Sequence, residues 1–185
     1  MSWNLTPLSH RLGITYPLIQ APMAGGFTSP ELVGAVCNAG GLGSFAAALL
    51  SPAEIRSGVE QIRRLTAQPF NVNVFVLDPP SPDPSEVERA LELLRPIRDE
   101  LGLPPGRPPA RWCQDYREQL ETLIELRVPV TSFTFGLLDG AAIERLHRSG
   151  SIVLGTATNV AEARAWAENG ADAVCAQGAE AGAHR

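Results

Sequence analysis

Residues 151–178 read SIVLGTATNVAEARAWAENGADAVCAQG. The stretch opens on an apolar run, SIVLGTAT, and closes on a second one, ADAVCAQG. Between them Asn159 stands three residues before Glu162, a helix-opening spacing, at the head of NVAEARAWAENG. Strand, helix and strand in so short a space predict a βαβ unit and a parallel sheet.

The same rhythm extends upstream. PLIQAPM (17–23) reads as a first strand, and the helix after it takes Ser29 as cap, Pro30 in its first turn and Gly40 at its end. GLGSFAA (41–47) follows, then a helix in which Ser51 and Glu54 flank Pro52 at capping-box spacing. FNVNVFV (70–76) alternates and is rich in β-branched residues, and VPVTSFTFG (128–136) precedes the helix DGAAIERLHRSG. The strand starts fall near 18, 41, 70, 129, 151 and 172. Most intervals match one strand, one helix and two short loops. The long interval carries a proline-rich helical insertion at 77–112, where Ser85 and Glu88 are placed to cap a helix and Pro96 to kink it. Nine of the sixteen prolines lie between Pro79 and Pro109, so the helix is expected to hang from two rigid loops over one rim.

Six parallel strands fit either an open doubly wound sheet or most of a (β/α)8 barrel. An open nucleotide-binding sheet places GxGxxG after its first strand. Here that strand runs into Gln20-Ala-Pro-Met-Ala-Gly-Gly26, while GGLGSF (40–45) reads as a tight helix-to-strand turn.

Composition narrows the function. A net charge of −5 argues against nucleic acid, which wants a basic stripe. No apolar run approaches the ~18 residues of a membrane span, and MSWNLTPLSHRLG has no signal-peptide core. Three cysteines, Cys37, Cys113 and Cys175, form no complete paired framework and no zinc spacing, with Cys37 and Cys175 expected in the core. The expectation is a cytoplasmic protein without a bound metal.

In a parallel barrel every strand's C-terminal end opens on one face, where active sites sit. The residues there are Gln20, Pro22, Met23, Gly25 and Gly26, then Asn71 and Asn73, then Thr131, Ser132 and Thr134, then Thr156 and Thr158, and finally Gln177 with the loop GAEAGAHR. There is no glycosidase-type carboxylate pair. Amides, hydroxyls and glycines suit a flat, neutral, hydrogen-bonding ligand, either a flavin or a nucleobase. His184 is the candidate acid or base, because an imidazole titrates near neutrality. His10, in a polar N-terminal segment, and His147, on an outer helix face, are weaker candidates.

Two longer motifs resemble a known family. QAPMAGGFTSPELVGAVCNAGGLGSF and AENGADAVCAQGAEAGAHR are similar to the two signatures of the nitronate monooxygenases, in the right order and at the right strands. The resemblance implies a TIM-barrel-type α/β fold with about six of its eight βα units in this chain. Residues 1–185 would then form one FMN-binding domain, incomplete at its C-terminus. It implies FMN as cofactor and the oxidation of alkyl nitronates, such as propionate 3-nitronate, by O2 to a carbonyl compound and nitrite. It places His184 at the catalytic position, and Pro22, Met23, Asn73, Gln177, Gly178 and Gly182 against the flavin. One departure stands out: Ala183 replaces the second glycine of the family's EAGGH. Related sequences carry NAD(P)H-dependent enoyl-acyl-carrier-protein or quinone reductase activity, and an inactive half-barrel is a third expectation. A barrel short of two units is expected to self-associate or to take a complementing C-terminal segment.

Overall fold

The computed structural model describes residues 3–182. Its centre is a five-stranded, all-parallel sheet built from β1 (Ser44–Ala46), β2 (Asn71–Val76), β3 (Val130–Phe135), β4 (Ile152–Ala157) and β5 (Ala173–Ala176). Each strand pairs with the next in the sequence, β1-β2-β3-β4-β5. A doubly wound sheet reverses its strand order part-way. Sequential order without reversal is the progression of a barrel wall.

The expected first strand, 17–23, shrinks to one parallel bridge between Ile19 and Leu42. Leu42 N–H donates to Leu18 O and Gln20 N–H to Leu42 O, both at 2.9 Å. Pro17 and Pro22 bracket the segment and bring no N–H of their own, so the ladder stops there.

Seven helices complete the described chain: α1 (Pro7–Leu12), α2 (Pro30–Asn38), α3 (Pro52–Leu65), α4 (Pro84–Glu100), α5 (Tyr116–Glu125), α6 (Gly140–Arg148) and α7 (Val160–Glu168). Their caps follow local chemistry: Ser29, Ser51 and Asn159 cap α2, α3 and α7 as their spacing predicts. α4 departs from expectation. Asp83 is its cap, with Pro84 in the first turn, and the helix runs through Pro96 without ending. None of its residues is buried, so no packing penalises the lost bond. α1, opened by a Thr6–Ser9 capping box, and α5, capped by Asp115, have no counterpart among the sequence expectations.

Register divides the sheet into two faces, because parallel Cα partners point the same way. The outer face carries Phe45, Val72, Val74, Val76, Phe133, Val153 and Ala157, all buried beneath the helices. Thr131 lies on this face too, hydrogen-bonded to Ser151 (3.1 Å), and so leaves the set of rim candidates. Trp166 of α7 is fully buried over Gly155, where a Cβ would come within 2.2 Å of the indole. Any side chain at 155 would displace that ring.

The inner face is apolar at its N-terminal end and polar toward the other. Leu42, Val130 and Leu154 meet Leu12 of α1, with Leu8, Ile14, Ile152 and Ala173 around them, so α1 forms a floor. A buried carboxylate fastens it. Asp172, its side chain 7% exposed, accepts from Arg11 of α1, from His147 Nε2 of α6 (3.0 Å) and from Val153 N–H of β4 (2.7 Å). His147 therefore braces the floor. Cys37 is buried, but Cys175 is exposed on the edge strand β5, contrary to its expected place in the core.

Burial pushes the Asp172 carboxyl up, but the bonds from Val153, His147 and Arg11 outweigh it and hold the group below the usual carboxylate range. A depressed folded pKa adds stability that is present above the ordinary value, ~3.9, and lost as pH falls through the folded one. Asp172→Ala is expected to cost about 2–4 kcal/mol at neutral pH in urea unfolding. It should also flatten the loss of stability that the parent protein shows as pH drops below about 4.

Candidate active site

The polar half of the inner face is a ladder of neutral groups. Asn71 and Asn73 sit two apart on β2, so both point inward with Phe75, and their register partners bring Ser44, Ala46, Ser132 and Thr134 alongside. Asn71 Nδ2 donates to Ser44 Oγ (3.0 Å) and Ser132 Oγ (2.9 Å). Asn73 Nδ2 donates to Ser132 Oγ (2.9 Å), Ser132 O (3.2 Å) and Thr134 Oγ1 (3.2 Å). Ser132 is thus the hub on which two buried amides converge.

One atom of the ladder is unsatisfied. Asn71 Oδ1 is buried and accepts no hydrogen bond. Leaving a buried acceptor unpaired costs about 1–3 kcal/mol, so it marks a place where a donor belongs.

The loop after the first segment is fastened to this ladder by side chains. Gln20 accepts from Ser44 N–H through Oε1 (3.0 Å) and donates through Nε2 to Ser44 O (3.4 Å). Thr28, also buried, donates to Met23 O (3.0 Å) and accepts from Ala46 N–H (3.2 Å). Since Ala46 is the register partner of Asn73, Pro22 and Met23 are held over the β1–β2 end of the rim, with Met23 exposed. Gln119 of α5 is buried and donates to Ala47 O, Ala48 O and Leu50 O (3.1, 3.2 and 2.8 Å), which fixes the loop after β1.

The remaining expected residues lie elsewhere on the same rim. Gln177 follows β5, separated from β2 by two strands, and donates its N–H to Ala157 O (2.9 Å). Gly178 and Gly182 continue beyond it, with open space beside Gly182. Thr158 is consumed locally: its N–H (2.7 Å) and hydroxyl (3.0 Å) both bind Glu162, holding that carboxyl below its usual range. His184 and Ala183 lie outside the described residues.

Thr134, Thr156 and Cys175, the register partner of Thr156, complete the inner face of the strand ends, which carries no Asp, Glu, Lys, Arg or His among the described residues. Nor do the described residues hold a cluster of three His, Cys, Asp or Glu side chains spaced for a metal. No helix among them is long and apolar enough to cross a membrane.

The nitronate monooxygenase family matches residues 6–185. The chain belongs to that family. Probable nitronate monooxygenases of Staphylococcus aureus strains JH9 and MRSA252 are 40% identical over 183 residues, which is 99% of this chain and 51% of each relative. A solved nitroalkane oxidase of Streptomyces ansochromogenes is 42% identical with a TM-score of 0.84, covering 93% of this chain and 49% of that one. FabK of Thermotoga maritima is 26% identical at a TM-score of 0.69, covering 93% and 43%. The chain therefore spans about half the length of the curated relatives it matches. With these neighbours the sequential sheet is part of a TIM-barrel-type wall in this nitronate monooxygenase family member.

Sequence spacing placed both Asn71 and Asn73 on the inner face, and the family pattern pointed to Asn73. The unpaired carbonyl belongs to Asn71, so both amides count as site candidates. Gln119 had no sequence signal, since its helix α5 was itself not among the sequence expectations. Ser132→Ala leaves two buried amides short of an acceptor and is expected to cost about 1–2 kcal/mol in chemical denaturation. A loss of less than about 0.5 kcal/mol would mean that the hydroxyl is not the hub.

Proposed function

We propose that this chain supplies the flavin- and substrate-facing half of an FMN-dependent enzyme that oxidises alkyl nitronates with O2 to a carbonyl compound and nitrite. The observation that carries this reading is the neutral amide–hydroxyl ladder at the rim, with the buried acceptor Asn71 Oδ1 unpaired. A flavin ring offers imide N–H and carbonyl groups on a flat uncharged body, which is the complement of such a ladder. The residues present fit it. Pro22, Met23, Asn71 and Asn73 would line one side of the ring, and Gln177, Gly178 and Gly182 the other.

When bound, FMN supplies the electron chemistry, and the protein supplies position, polarity and proton handling. Fixed dipoles from Asn73, Ser132 and Thr134 hold donors and acceptors in place without the reorganisation that water would require. The nitronate brings a negative charge, and the inner-face strand ends, which carry no carboxylate among the described residues, do not repel it. His184 is assigned the proton transfer at the carbon bearing nitrogen, since a neutral imidazole accepts a proton near pH 7. Once protonated, it would pair with the nitronate anion.

The names of the neighbours support the reading: a nitroalkane oxidase among solved structures and probable nitronate monooxygenases among curated relatives. Flavin titration followed by oxygen consumption tests it, with propyl nitronate and neutral 1-nitropropane as parallel substrates. His184→Ala is expected to lower kcat/KM for the neutral nitroalkane by about 10²–10⁴. The preformed nitronate, which needs no proton removed, should be affected much less. Equal losses on both substrates would contradict the role of His184 as base. No turnover of either by the flavin-saturated whole enzyme of which this chain is a half would contradict the function.

A further inference from the structure

Among the described residues only Arg127 and Phe135 combine a side chain with positive φ. Arg127 follows helix α5, where a left-handed residue is ordinary. Phe135, at φ 76°, closes strand β3 at the rim. A bulky residue rarely adopts this conformation, and it persists only where the surroundings hold it.

The surroundings do hold it. Register pairs Phe135 with Val76, an outer-face position, yet its ring meets Phe75 of the inner face edge-on, 4.7 Å between centroids and 66° between planes. The next residue, Gly136, donates its N–H to Val76 O (3.1 Å), and a Cβ there would lie 2.5 Å from that oxygen. Only glycine fits, so the turn that presents the Phe135 ring is fixed by its neighbour. Phe75 and Phe135 remain half-buried, adjoining Asn73 and Thr134, and the same two strands continue into the exposed Leu77 and Leu137.

We propose that Phe75 and Phe135 form an apolar shelf that seats the hydrocarbon tail of the substrate and selects uncharged straight chains over carboxylate-bearing ones. This rests on the reading of the rim as a nitronate-oxidising site. Charge beyond the shelf favours the same choice. The first charged residues after these strands are Asp78, already paired with Arg117 (2.8 Å), and Asp139, which caps α6. A tail ending in a carboxylate would meet Asp139 and a guanidinium already engaged by Asp78.

The test is anaerobic calorimetric titration of the flavin-loaded protein with the nitronates of ethane through hexane, and with propionate 3-nitronate. Each added methylene is expected to tighten Kd about threefold in the parent protein, and propionate 3-nitronate should bind more weakly than butyl nitronate. Phe75→Ala and Phe135→Ala should flatten the chain-length slope, while Phe75→Leu keeps part of it. A purely structural role would instead lower the melting temperature and flavin affinity and leave the slope intact. A flat series in the parent protein, an unchanged slope in flavin-binding Phe75→Ala, or equal affinity for propionate 3-nitronate would overturn the shelf. A Phe75-dependent slope without oxygen consumption would retain the shelf and reject nitronate oxidation as the activity.

Discussion

Everything in this molecule depends on five parallel strands pairing in chain order. Because each ladder joins consecutive strands in the same direction, every strand's C-terminal end arrives at one rim. The helices that connect them return on the outer face, where their apolar sides cover Val72, Val74, Phe133 and Val153. That leaves the inner face to be divided between an apolar floor and a polar rim, with register neighbours such as Asn71 and Val130, or Ser132 and Leu154, falling on different sides of the divide. Leu42, Val130 and Leu154 close the lower end against α1, while Ser44, Asn71, Asn73, Ser132 and Thr134 fill the upper end.

The two ends do opposite physical work. At the floor a buried carboxylate is fully compensated, so Asp172 ties α1, α6 and β4 together. At the rim compensation is left incomplete: one amide oxygen is unpaired, one phenylalanine is held in a left-handed conformation, and several apolar side chains are exposed. Incomplete satisfaction confined to one end of a well-packed fold is what a ligand site requires, since the missing partners arrive with the ligand.

Much of this was legible in the sequence because it is written in local patterns. The runs 70–76, 151–158 and 171–178 are strands because β-branched and small apolar residues recur between capped helices. Non-local features were not legible. The exposure of Cys175 follows from the position of β5 at the sheet edge, which an apolar run does not reveal. Thr131 and Ser132 differ by one residue and by a whole face, and only register decides which meets the asparagines. The loss of most of the first strand was written in Pro17 and Pro22. The orphan acceptor of Asn71, by contrast, depends on where two serine hydroxyls lie in space.

The most direct test of the central claim is a crystal structure of the protein grown with FMN. Flavin density is expected at the rim, against Met23 and the Asn71–Ser132–Asn73 ladder, with an N–H or O–H donor now on Asn71 Oδ1. Flavin bound elsewhere, or a rim ladder closed by ordered water alone in a flavin-saturated crystal, would contradict it.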